Sequence, residues 1–455
     1  MIPRSRAAPG AVWWLAALFL GSPLPARAQV SSPPPVVQAE RVVVEDAADE
    51  EGSPGLGRAE VDARAPAVDA RWGEVAAQVS NLGVSSAGPS SFGAVFSLRG
   101  LANTPYFSDP AVTVYLDAIP LGGSFSYPAD LLGFSAIAVY AGPQPVEFGR
   151  GGDGGVIVFS PGNSAPADEI RAGAGDYGSH SVSFLGGATH GTTADLTISA
   201  GLLQHEGYIE NTQLAQKVGA VRAATAFARE RFRPSNSTEI TLELADDRHR
   251  DGAAPLVPLG GPLDTVERSH EGATDTDFFG AALKATYDAD SGRLSSTTSF
   301  TEWRLNPYDD WLVLPPPLRS HLVQTQENWN EELRFNSRQA GALTWALGGW
   351  LSEGTVSGAA DRSISGIIPI EVSDYGYTRH DEALFGVLEY ALARKWRFSV
   401  GGRVQRVDKD YHQDEAVPQA GLHLHFHRSD GAFLAKAASS FAIDAATDVG
   451  ASVSL

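Results

Sequence analysis

His423, His425 and His427 alternate along one β-rich run, Leu422-His423-Leu424-His425-Phe426-His427. Residues i and i+2 of a strand leave the same face, roughly 7 Å apart from a rise of ~3.4 Å per residue. Two such imidazoles can share a Zn²⁺, Ni²⁺ or Cu²⁺ ion. The competing reading is a polar row on a water-facing strand face, because no carboxylate stands nearby to complete the ligand set. Phe148 to Gly155, FGRGGDGG, is the other chemically suggestive run. It has no Gly-Lys-Ser/Thr, so it is not a P-loop. Gly149-Arg150-Gly151 begins a G-x-G, but a β-rich run follows where a dinucleotide site needs a helix. No Ser/His/Asp or paired-carboxylate arrangement stands out, and there is no Cys. The chain reads as non-enzymatic, with no cofactor and no disulfide framework.

The glycine run must be held by what flanks it. Ala136 to Ala141 is β-rich and enters Gly142-Pro143, a turn signal; Val156-Ile157-Val158-Phe159 is β-rich and stops at Pro161. Glycines this dense supply positive φ and let backbones approach closely. The segment predicts two strands joined by a tightly folded loop.

The chain opens as an exported protein does. Arg4 and Arg6 precede the apolar run Val12 to Leu20, and Ala26-Arg27-Ala28 offers a cleavage site before Gln29. That run is short for a transmembrane helix and reads as a secretory signal. The formal charge is −20; removing Arg4, Arg6 and Arg27, the charged residues of 1–28, leaves −23. Such acidity opposes binding to nucleic acid. After Gln29 no long apolar run appears, which excludes a helical membrane protein but not a β-barrel. A mean hydropathy of −0.12 suits a soluble protein and a barrel equally.

Composition divides the remainder. Residues 29–70 hold a Pro-rich linker and an acidic, Ala-rich stretch around Val42-Val43-Val44. Residues 71–165 read as a small α/β unit: a helix from Trp72 to Val79, strands over Phe92–Leu98, Ala111–Leu116 and Ile137–Tyr140, and a helical turn over Tyr127–Leu132. From Asp168, segments of about ten residues alternate apolar and polar between turn residues, the barrel signature. Leu384, Gly386, Leu388, Tyr390 and Leu392 share one face, and Glu239 to Leu244 is nearly ideal. On a barrel the imidazole row would face the lumen. Trp303, Trp311, Trp329, Trp345, Trp350 and Trp396 would sit in interfacial girdles or be buried. A soluble β-sandwich is the rival.

Three motifs in order resemble the plug of TonB-dependent outer-membrane receptors. Ser97-Leu98-Arg99-Gly100 is similar to the family's "IRG" element. Val112 to Asp117, ahead of Ile119-Pro120, is similar to its "vyvDGvp" element. Gly142-Pro143 and the run through Gly149, Gly154 and Gly155 are similar to the elements that end the plug. Asn330 to Phe335 resembles the family's "qElRl" strand, and Asp381 to Tyr390 with Phe398 to Arg403 resembles one of its barrel hairpins. Ala118, Ala138 and Ala141 depart from the pattern, the last two by losing charges.

The resemblance implies a mainly β protein: signal peptide 1–28, periplasmic tail 29–70, an α/β plug over 71–165, and an antiparallel transmembrane β-barrel over 166–455. It implies transport across outer-membrane lipid of a small, scarce ligand such as a metal–siderophore complex, driven by TonB with ExbB/ExbD. The tail's TonB box would be Val37-Gln38-Ala39-Glu40-Arg41-Val42-Val43-Val44, unless this is the plug's own first strand. Arg99 and Glu332 match a plug arginine and a barrel glutamate that would form a plug–barrel lock. Alternation gives roughly fourteen strands, against about 22 in plugged transporters of this class. The expectation is therefore an incomplete barrel, from a fragment or a truncated, non-transporting remnant, whose open edge in lipid would leave backbone groups unpaired. A passive fatty-acid-type porin with an N-terminal hatch is the alternative for that strand number.

Overall fold

The computed structural model describes residues 58–62, 72–86, 94–103, 109–128, 134, 136–160, 168–252, 256–258, 260–312, 316–338, 341–392, 395–417, 421–442 and 448–454. The signal peptide and Val37–Val44 lie outside the described residues.

The N-terminal module is built on short, apolar, β-branched runs. Its strands are β1 (Arg58–Asp62), β2 (Leu82–Ser86), β3 (Ala94–Leu98), β4 (Leu101–Ala102), β5 (Val112–Leu116), β6 (Ile119–Pro120), β7 (Ala136–Ala141) and β8 (Gly155–Ser160). They form a five-stranded sheet of order β1-β7-β8-β5-β6 and a three-stranded sheet, β2-β3-β4. β7 and β8 pair antiparallel, with Ala141 opposite Gly155, so the Gly-Pro and Gly-Gly elements close one loop as the sequence predicts. β5 lies parallel to β8 on its other side.

Helix is scarcer than the α/β expectation. Among the described residues the module has one α-helix, α1 (Trp72–Gln78), and a 3-10 turn over Ser124–Ser126. Most of the predicted Tyr127–Leu132 turn lies outside the described residues, which hold only its first two positions. Tyr127 is extended (φ −75°, ψ 135°) because Pro128 follows it, and a residue before proline is pushed out of the α region. α1 buries Trp72 and Val75, and Val79 just past its end is buried with them. The Trp72 ring meets Phe96 edge-on at 4.7 Å and Phe159 at 5.8 Å.

The wall is one antiparallel sheet of thirteen strands. They are β9 (Glu169–Ala174), β10 (His180–His190), β11 (Ala194–His205), β14 (Val221–Ser235), β15 (Thr238–Gly252), β17 (Ala273–Ala289), β18 (Gly292–Leu312), β19 (Leu318–Ser337), β20 (Leu343–Ile364), β21 (Ile368–Leu392), β22 (Trp396–Val417), β23 (Leu422–Ala442) and β24 (Asp448–Ser454). Each pairs with its neighbours in sequence order, and β12 (Ile209–Asn211), β13 (Gln216–Val218) and β16 (Thr265–Val266) form a separate small sheet. The strand number is close to the predicted fourteen. β9 and β24 end the sheet, so closure into a barrel is not formed among the described residues.

Period-two alternation sorts the wall's faces. Leu283, Leu333, Leu347, Leu384, Val404 and Phe433 stand exposed on one face. The opposite face packs on the module: Phe227, Phe278 and Trp303 join one hydrophobic core with Phe96, Ile119 and Phe159. An apolar outer face and a packed inner one are the reverse of a water-soluble shell, and they suit a sheet whose outer solvent is lipid. The tryptophans divide accordingly. Trp329, Trp345 and Trp396 are exposed, whereas Trp303 and Trp350 are buried against the module and belong to no girdle. Trp311 stacks on the His270 ring at 4.0 Å.

Candidate functional site

The functional candidate is the seam between module and wall, where polar groups meet out of water. One part lies at the β5–β6 turn. Asp117 holds φ +51°, a left-handed conformation that short Asx side chains tolerate. The turn pushes its carboxylate onto the buried Arg229 of β14. The next residue, Ala118, donates its N–H to Glu243 Oε2 of β15 at 3.0 Å. Beside this turn Phe125 stacks on Trp303, centroids 6.2 Å apart.

The loop between β7 and β8 makes the second part. Gly142 N–H donates to Gly154 O at 2.9 Å, and Gly154 N–H donates to Ala111 O at 2.7 Å, while Pro143 is exposed. Gly155 has φ +146°, and a side chain there would strike the Tyr140 carbonyl. Gly149 faces outward against the wall: a Cβ would collide with the Trp350 ring and the Glu332 carboxylate. Its glycine is thus a requirement of docking rather than of a turn. Around it Arg334 of β19 donates to Glu147 O at 2.9 Å and Val146 O at 3.2 Å, and Arg403 of β22 donates to Pro145 O at 3.5 Å. Both guanidiniums lie over the Phe385 ring, at 5.0 and 5.6 Å. Val146 packs with Trp350, Ala383 and Phe385. The Glu147 carboxylate is paired with Lys436 of β23, and both side chains are buried.

Inside the module the same loop is tied to β5. The Tyr115 hydroxyl donates to Arg150 O at 3.0 Å and accepts from Arg150 N–H at 2.9 Å. The Arg150 side chain donates to Leu121 O at 2.8 Å. Burial pushes the Tyr115 phenol up, with the Glu332 charge adding to the effect, and burial does the same to Tyr127.

Arg99 and Glu332 are not brought together. Arg99 is exposed in the β3–β4 turn at φ +53°, with Gly100 at +85°, and reaches toward Gly142. Glu332 accepts from Arg334 at 2.8 Å, its neighbour two along the same strand face. The contact predicted for that pair is made by other residues, and with the charges exchanged: acids on the module, bases on the wall. Asp117–Arg229 and Glu147–Lys436 have this polarity. Sequence reading missed Glu147, Lys436 and Arg229, although Glu147 stands directly before Phe148-Gly149.

The imidazole row lies on the outer face, in phase with the exposed Phe433, not toward the lumen. It also has carboxylates, supplied across the ladder. Asp414 lies 2.6 Å from His423 Nδ1 and Asp410 lies 3.0 Å from His427 Nδ1, while His425 stands opposite His412. Among the described residues no group of three or more such side chains is arranged to hold a metal ion.

The fold has counterparts among solved structures. The ferric yersiniabactin uptake receptor FyuA from Yersinia pestis superposes with a TM-score of 0.76 at 16% identity, over 88% of this chain and 64% of that one. The ferric citrate transporter FecA gives 0.68 at 14% identity, over 91% and 65%. The copper transporter OprC gives 0.66 at 14% identity, over 89% and 65%. The chain therefore spans less than two thirds of the length of these proteins. No curated protein matches it by sequence. Residues 215–454, more than half of the chain, match the family described as TonB dependent receptor-like, beta-barrel. An inner module seated on a lipid-facing wall, with this match along the wall, makes the chain a member of the TonB-dependent outer-membrane receptor family.

Proposed function

We propose that the chain acts in active import across the outer membrane, with a plug that reaches back from the expected 71–165 to β1, because Arg58–Asp62 pairs with β7, with 166–455 as barrel wall, 1–28 as export signal and the residues from 29 up to β1 as periplasmic tail. The observation that carries this reading is the buried Glu147–Lys436 pair with the arginine-bound carbonyls beside it. These contacts hold the plug by polar groups that come apart together rather than by a greasy interface alone. A passive pore has no use for a plug whose release must be driven. The driver in this reading is TonB with ExbB/ExbD, engaging Val37–Val44 by adding a strand to its sheet. Siderophore-bound iron is the favoured cargo, since FyuA and FecA carry ferric yersiniabactin and ferric citrate. The protein binds and moves the cargo without chemistry on it.

The test is uptake of radiolabelled ferric siderophores by a receptor-null strain carrying this chain. Uptake that stops when the proton-motive force is collapsed supports the reading. Uptake that persists without it indicates a pore, and none with any iron chelate tested removes the import role.

A further inference from the structure

Asp109 of the plug sits on a pair of wall cations unlike the other contacts of the seam. Arg379 of β21 and Lys409 of β22 are directly opposite in the ladder. Directly opposed side chains place their Cβ atoms about 5 Å apart, where like charges repel. The Asp109 carboxylate relieves this by bridging both: one oxygen pairs with Arg379, and the other lies 2.6 Å from Lys409 Nζ. Asp381 takes only the Nε of Arg379, at 2.7 and 2.9 Å. Two residues along the ladder, on the same face, Tyr377 stands opposite Tyr411. Among the described residues the Tyr377 hydroxyl is buried without a hydrogen-bond partner.

Exposure separates this contact from the latch at Lys436. There the two side chains are 7% and 5% exposed. Here Arg379 and Lys409 are 19% and 21% exposed, but Asp109 is 46% exposed. The cations are fixed on rigid strands and partly withdrawn from water. The carboxylate that neutralises them comes from the plug and is open on its other side.

We propose that Asp109 is an internal stand-in for the ligand: Arg379 and Lys409, with the Tyr377 hydroxyl and the Tyr411 ring beside them, form a site for a carboxylate of the incoming cargo, which displaces Asp109 and so frees that corner of the plug. This rests on the import reading and names the chemical class of its cargo as a carboxylate-bearing anion. Occupancy by Asp109 lowers the apparent affinity for any such ligand by the fraction of time the site is free.

The chain has no Cys, so Pro110→Cys gives a single spin-labelling position beside Asp109. Citrate serves as the carboxylate probe and sorbitol as the uncharged control, with the full chain reconstituted in bilayers. Calorimetry is expected to show citrate binding about tenfold tighter in Asp109→Asn than in the native protein. Binding should be lost in Arg379→Gln/Lys409→Gln. Citrate, and not sorbitol, should raise the mobility of the label at 110 in the otherwise native protein. Equal citrate affinity with and without Asp109, no citrate binding by either, or undiminished binding in the double variant would overturn the proposal. Because these are equilibrium measurements, energised iron uptake can stand while this inference falls, and the reverse.

Discussion

Glu147 and Lys436, 289 residues apart in the chain, close a buried ion pair between the plug loop and β23. Both of its side chains are buried, whereas the Asp117 side chain of the Asp117–Arg229 pair is 23% exposed. Desolvating two charges is costly, so the pair is poor evidence of net stability. Its asymmetry is informative, because removing one partner strands the other.

Glu147→Gln or Lys436→Met should each destabilise plug docking by roughly 3–5 kcal/mol. Glu147→Gln/Lys436→Met together should cost clearly less than the sum. Limited proteolysis of the plug against urea concentration, run as a double-mutant cycle, measures this. Additive losses would mean the two side chains do not sense each other.

Gly149→Ala should loosen the seam without harming the plug's own sheet, because the nearest atoms its side chain would strike are the Trp350 ring and Glu332 carboxylate of the wall. Overpacking of this kind costs about 1–3 kcal/mol. Trp350→Leu should relieve much of that loss by vacating the space. Thermal unfolding of the four combinations is the check, and no rescue would place the strain elsewhere.

At the β5–β6 turn, charge and backbone can be separated. Asp117→Asn and Asp117→Gly keep a residue at ease with φ +51° but abandon Arg229. Asp117→Ala adds the left-handed penalty of about 1–2 kcal/mol. The order of denaturation midpoints should be native, then Asn and Gly together, then Ala. An Ala variant as stable as Asn would deny the backbone cost.

The outer face should behave as lipid-facing. Leu384 is 69% exposed on that face. Leu384→Arg should weaken folding into bilayers by ~2–4 kcal/mol if the site lies near the midplane. In detergent micelles, where the head can reach water, the loss should be smaller. A folded-to-unfolded gel shift in liposomes of graded urea content reads it. Equal losses in both media would argue that this face is packed against protein.

The sequence alone determined whatever is local or periodic. Alternation from Asp168 onward marked the wall as strands with two distinct faces, because period two is a property of the strand itself. The glycine and proline signals placed the β7–β8 loop, because positive φ and close backbone approach restrict which residues can stand there. Tertiary structure decided every partnership. Glu332 went to Arg334 rather than to Arg99, since a same-face neighbour two residues away costs no loop closure. Glu147 found Lys436, and Asp117 found Arg229, because the plug's seating brings distant segments together and one chain carries no local trace of that. The histidine row was legible as a row; that it faces outward, with Asp410 and Asp414 supplied by the next strand, followed only from the ladder's register.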